Sequence, residues 1–167
     1  TSELINHPCF KQFPLLRTYR LRLSEITMKD ASDFAVFAWK GGERIPEKEV
    51  PILIELNEQL YDEKSAINWG VFYEDTLIGA IGFYRGFKDM NGEVGYVLNP
   101  KYWSMGLMSE AMEAVLNFGF KEMKLKEIWA YTEPTNGASV SLLEKFGFNN
   151  SRELFEKYAI YKKKTTL

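Results

Sequence analysis

The chain has 167 residues, 46% of them hydrophobic, 26% charged and 15% aromatic, which is the stock of one packed domain and excludes a disordered or fibrous chain. Lys and Arg number 21 against 23 Asp and Glu, a formal net charge of −2, so non-specific binding to nucleic acid is excluded for want of positive charge. One cysteine and one histidine leave no internal disulfide and no cysteine-based zinc site, and no metal is expected.

Residues 1–16 read as a polar lead-in broken by Pro8 and Pro14. His7 and Cys9 lie there in a turn-like stretch with no third group to orient the imidazole, so acid–base work falls to Glu, Asp, Tyr, Ser, water or backbone. Tyr19, Leu21 and Leu23 alternate with Arg20, Arg22 and Ser24, the period of a half-buried strand. Thr27 to Asp30 cap a helix predicted over 28–40, carrying Phe34, Ala35, Ala38 and Trp39 and stopped by Gly41-Gly42. A second helix is predicted over 47–61 despite Pro51.

Strands follow at 67–73, 77–84 and 93–98, joined by short turns at Glu74-Asp75 and Lys88–Gly92, which predicts an antiparallel meander. Asn99-Pro100 ends the third strand, and 107–122 is a long amphipathic helix with Met108, Ala111, Met112, Val115, Phe118 and Gly119 inward. A strand at 127–132, a helix at 136–146 closed by Gly147, and one or two strands over 151–162 complete the order. A helix joins 93–98 to 127–132, so that pair is predicted parallel. No apolar run approaches the roughly 18 residues of a membrane helix and no signal segment opens the chain, so no membrane partner and a reducing cytoplasm are expected.

Two segments carry candidate chemistry. In Asn99 to Glu110 a short loop leads through Gly106 into a helix, whose unpaired N–H groups and dipole suit phosphate; a plain loop-to-helix junction explains the same residues. In Thr132 to Phe148, Asn136 suits a helix cap, and Ser139 lies three residues on, on the same side.

Glu93-Val-Gly-Tyr96, Trp103-Ser-Met-Gly106, Ser109-Glu110-Ala111, Asn136-Gly-Ala-Ser139 and Glu144-Lys-Phe-Gly-Phe148 together resemble the GNAT superfamily of acyl-CoA-dependent N-acetyltransferases. Within it they are most similar to the RimJ/RimL branch, which acetylates N-terminal amines of ribosomal proteins. The resemblance spans about Leu21 to Tyr161. It implies one acyltransferase domain over 1–167 and a mixed α/β sheet of six or seven strands flanked by about four helices.

The resemblance also implies acetyl-CoA as acyl donor and a primary amine as acceptor, a protein N-terminus or a small molecule, with direct attack in a ternary complex. Strands 93–98 and 127–132 would splay apart. The pantetheine arm would pair with the backbone of Tyr96, Val97 and Leu98, and the diphosphate would rest on Trp103, Ser104, Met105, Gly106, Leu107, Met108 and Ser109, with Asn136 nearby. Glu93 matches a carboxylate base; a strand-end surface charge is the alternative.

Many members carry a tyrosine where this chain has Leu143, so Ser139, or a water held by it, takes the acid's place. The loop keeps only Gly106 of the usual pattern, and Met105 stands where a basic residue is usual. Glu110 reads as a favourable charge at the helix start. The early helices would wall the acceptor pocket, with Trp39, Trp69, Phe83, Tyr84 and Phe87 read first as core and second as lining. An acyl-CoA-binding module with little catalysis is the competing reading. A homodimer is allowed for.

Overall fold

In the computed structural model, which describes residues 4–40 and 43–166, the chain opens on a turn of 3₁₀ helix at Pro8–Phe10. His7 Nδ1 accepts the Cys9 N–H at 3.0 Å, and Nε2 donates to the Glu122 carbonyl at 2.9 Å. Both ring nitrogens are thus spent on packing the segment. Burial pushes the Cys9 thiol up to about 12, which makes it a poor nucleophile.

Strand β1 (Leu16–Arg17) pairs antiparallel with β2 (Leu21–Glu25), where Leu21 and Leu23 are buried. Tyr19 does not join the alternation: the Thr18 N–H bonds the Leu21 carbonyl at 2.9 Å, and the resulting turn throws Tyr19 into solvent. Thr27 and Asp30 form a capping box that starts α1 (Ala31–Ala35).

The helix predicted to run to residue 40 stops five residues early. Arg44 Nη2 caps the Ala35 carbonyl at 3.2 Å and the Ile45 N–H takes the Ala38 carbonyl at 3.1 Å, so the hairpin of β3 (Trp39–Lys40) and β4 (Glu43–Arg44) replaces the last turns. Trp39 is exposed there, and the expected stop at Gly41-Gly42 lies outside the described residues. Helix α2 (Val50–Asp62) carries Pro51 in its first turn, where the missing N–H has no partner to lose.

The meander follows as β5 (Ile67–Tyr73), β6 (Thr76–Tyr84) and β7 (Asn91–Leu98). Glu74 and Asp75 both take positive φ, the tight hairpin turn that matches strand twist. Helix α3 (Leu107–Asn117) ends in a π-helical turn at Phe118–Glu122, then come β8 (Glu127–Thr132), α4 (Gly137–Lys145), β9 (Asn149–Phe155) and β10 (Tyr158–Lys164).

The main sheet runs β1-β2-β5-β6-β7-β8-β10-β9, and every pair is antiparallel except β7 with β8. It holds eight strands, more than the six or seven expected, because the two-residue β1 is too short to leave a periodic trace and the tail forms two strands. Edge strand β9 is exposed along its length, and it is kinked at Arg152 (φ 67°) opposite a register shift in β10.

One face of the sheet packs α3 and α4 over Trp69, Phe83, Val94, Met112, Val115, Ile128 and Leu143. The other packs α1 and α2 over Phe72, Leu77 and Ala80, with Val97 at its border. Trp69, Phe83 and Phe87 are fully buried in the core. Gly82 leaves no room for a side chain: a Cβ there would sit 2.2 Å from the Ile67 carbonyl oxygen. Among the described residues no helix is long and apolar enough to cross a membrane.

Candidate active site

The parallel pair is short. β7 and β8 are in register only at Asn91↔Glu127, Gly92↔Ile128 and Glu93↔Trp129. Beyond Glu93, β7 stays on β6 as far as Leu98 while β8 stays on β10 as far as Thr132, so the two strands part. The Asn99 N–H donates to the Ile78 carbonyl at 2.7 Å, which sets the parity of β7. By alternation Val94, Tyr96 and Leu98 turn their N–H and C=O groups into the gap, and Val97 turns its own toward β6. Of the three residues expected to pair with a ligand strand, Val97 therefore faces away. The Leu98 carbonyl is taken by Trp103 Nε1 at 2.9 Å.

The chain between the gap and α3 is a turn of 3₁₀ helix capped by Asn99, then an exposed loop with Ser104 at φ 63° and Gly106 at φ 76°. Gly106 is the cap residue of α3 and offers no side chain, so the amides of Leu107, Met108 and Ser109 open outward without a capping oxygen. The Leu107 side chain is buried, and only its backbone serves the surface; Trp103 and Met105 are exposed.

Glu110 is not a loose charge at the helix start. It accepts from Thr18 Oγ1, from the Arg20 amide at 2.7 Å and from Arg20 Nε at 2.9 Å. Burial alone would push its carboxyl up, but these bonds and the Arg20 charge outweigh burial and hold it below the usual carboxylate range. No local pattern relates residues so far apart in the chain.

On the α3/α4 face, Asn136 Oδ1 caps α4 by accepting the Ser139 N–H at 3.2 Å. Ser139 Oγ lies 2.6 Å from the Tyr96 hydroxyl. Burial raises the Tyr96 phenol, and the bond to Ser139 partly offsets the rise. The sequence singles out Tyr96 for its backbone alone; its even place in β7, shared with buried Val94, is the signal that sends its ring toward α4. Leu143 is fully buried in the core.

Glu93 is on the opposite face. Its side chain is 19% exposed and lies 3.5 Å from Arg85 Nε. Burial raises its carboxyl and Arg85 opposes the rise without cancelling it. Tyr84 pairs directly across from Glu93; its ring covers Gly95, and its hydroxyl donates to Asn68 Oδ1 at 2.6 Å. Beside Asn68 a slot of about 20 Å³ is lined by Glu25, Asn57, Glu58 and Tyr61. A wider hollow of about 460 Å³ lies apart from these groups, between α1 and β4.

A family model described as an acetyltransferase (GNAT) domain matches residues 20–149. The uncharacterized N-acetyltransferase YoaA of Bacillus subtilis (strain 168) is 39% identical over 147 residues, which cover 81% of this chain and 83% of that one. A GNAT-family acetyltransferase crystal structure from Bacillus anthracis superimposes with TM-score 0.76 at 27% identity, covering 89% of this chain and 96% of that one. Mycobacterium smegmatis RimJ, solved in complex with CoA-disulfide, shares the fold alone: TM-score 0.78 at 14% identity, over 91% of this chain and 86% of that one.

Proposed function

The chain belongs to the GNAT acetyltransferase family, and we propose that it moves an acetyl group from acetyl-CoA directly onto a primary amine held in a ternary complex. The observation that carries this reading is the parting of β7 and β8, with a raised carboxylate on one face of the gap and a paired Tyr–Ser hydroxyl on the other. An acceptor and a leaving thiol thus have separate approaches to one point.

The residues present fit the donor. The N–H groups of Tyr96 and Leu98 suit an added extended segment. The uncapped amides of Leu107, Met108 and Ser109, opened by Gly106, suit a diphosphate. Acetyl-CoA supplies an activated thioester when bound. A backbone N–H of β7 in the gap would polarise its carbonyl. Glu93 takes the proton that the attacking amine must lose, directly or through one water, and its raised pKa brings it nearer to the amine's. Ser139 Oγ–H gives a proton to the departing sulfur and takes one from the Tyr96 hydroxyl, and Tyr96 regains its own from solvent while Glu93 releases the amine's proton there, so both groups end the turnover as they began it. A thiol's ordinary pKa of about 8.5 makes this a modest demand.

On the acceptor face Glu25 and Glu58 at the slot favour a cationic amine. An α-amine, with a pKa of about 8 against about 10.4 for lysine, asks less of Glu93, so a peptide N-terminus or a small primary amine is the acceptor class. The test is thiol release from acetyl-CoA with a panel of amines, for the unaltered chain and for Glu93→Gln. We expect Glu93→Gln to lower kcat/KM by about a hundredfold, to erase the acidic limb of the pH profile and to leave CoA affinity intact. Turnover on no amine refutes the reaction; an unchanged acidic limb in the variant removes Glu93 from it.

A further inference from the structure

The segment Trp103 to Ser109 holds no cation: its side chains are those of Trp, Ser, Met, Gly, Leu, Met and Ser. The fold brings one in from the other end of the chain. Arg20 has its backbone N–H and Nε tied to Glu110, at 2.7 and 2.9 Å, which fixes the plane of the guanidinium. One of its five N–H groups is used there, and among the described residues none accepts from Nη1 or Nη2. Nη2 lies 3.5 Å from the point that a Cβ on Gly106 would occupy, the nearest atom to that point. A Cβ at 106 would touch Nη2 at ordinary van der Waals distance, so the guanidinium lies beside the cap residue of α3. On the far side of the loop, Lys145 Nζ donates to Ser109 Oγ at 3.1 Å and keeps that hydroxyl in place.

We infer that Arg20 is the diphosphate-binding cation of this chain, aimed across Gly106 by Glu110 and supplying the positive charge that the loop itself lacks. The inference rests on the reading that this loop holds the diphosphate of an acyl-CoA donor. Its chemistry is that of a planar fork, with two terminal NH₂ groups able to meet two phosphate oxygens while the third nitrogen stays anchored. A staple that merely joins the N-terminal segment to α3 would need Nε and the backbone amide alone; glycine at 106 answers to its φ of 76° in either case.

The test is calorimetric titration of the full chain with CoA, 3′-dephospho-CoA and pantetheine. The variants are Arg20→Gln, Glu110→Gln and the neutral pair Arg20→Gln with Glu110→Gln, which spares the fold an unmatched carboxylate. Loss of a charge-assisted contact weakens CoA and 3′-dephospho-CoA alike by on the order of tenfold or more in both variants lacking Arg20. Glu110→Gln, which keeps the guanidinium, retains most of the affinity. Pantetheine, having no phosphate, binds all forms equally. The weakening of CoA binding by added salt becomes shallower without Arg20.

Unchanged CoA affinity in both Arg20 variants overturns the inference. So does a Glu110→Gln loss as large as theirs that pantetheine shares, which would mark a staple only. A loss seen with CoA and absent with 3′-dephospho-CoA moves Arg20 to the 3′-phosphate and equally overturns it. If the unaltered chain binds no CoA at millimolar concentration, the donor reading itself falls and takes this inference with it.

Discussion

Replacing Glu110 by Gln should destabilise the fold by about 2–3 kcal/mol at neutral pH. The carboxylate is 17% exposed and accepts from Thr18 Oγ1, the Arg20 amide and Arg20 Nε. An amide of the same shape keeps one acceptor oxygen and turns an NH₂ group against a donor. One charge-assisted bond is lost and one donor is left facing another, which gives the quoted figure of about 2–3 kcal/mol. In a chain of this size that lowers the thermal midpoint by about 5–10 °C. The pH dependence has a definite sign. The folded carboxyl is held below the usual range, so the folded state binds the proton less tightly than the unfolded one. Its stabilisation is complete above the unfolded pKa of about 4.3 and is lost as pH falls through the lower folded value. Urea denaturation of both proteins between about pH 7 and pH 3 reads the gap, which should be full near neutrality and close in acid. A gap below about 0.5 kcal/mol at pH 7, or one that stays constant into acid, would refute the reasoning.

Tyr96→Phe and Ser139→Ala should each lower kcat by at least about tenfold with little effect on the KM for acetyl-CoA. The double variant should cost scarcely more than the worse single one, because both hydroxyls serve one proton path. Additive losses in steady-state kinetics would separate the two roles. Gly82→Ala should destabilise by about 3 kcal/mol or fail to fold, since the added carbon meets the Ile67 carbonyl oxygen at 2.2 Å and the Asn68 Cα at 2.8 Å. Thermal melting checks this, and a midpoint within about 2 °C of the parent would show that the strands yield.

The framework is legible in the sequence wherever one periodicity dominates. The strands at 67–73 and 127–132 match their predicted limits, and the helix between β7 and β8 correctly predicts their parallel pairing. Helix α1 ends short of its predicted limit because Ala38 and Trp39 continue a helical spacing in the sequence, while the interaction that stops the helix comes from Arg44. The site divides in the same way. Gly106, Ser139 and Asn136 stand in local patterns that show where a loop meets a helix. The anchoring of Arg20 by Glu110 and the contact of Tyr96 with Ser139 join distant parts of the chain, and nothing near either residue announces its partner. The sequence does not set Val97 apart from its neighbours, because alternation needs a reference point, and the bond from Asn99 to Ile78 supplies it only in the folded chain.

The two borders of the main sheet have a consequence for behaviour in concentrated solution. An open border is a ready template on which another chain can add a strand, and long, flat, greasy ones invite fibres. Here one border is a two-residue strand, too brief to template anything. The other is bent at Arg152 and studded with Asn149, Asn150, Arg152 and Glu153, so its ladder of amides is interrupted midway. Straightening that bend, rather than loosening the interior, is the change that would turn this protein toward aggregation.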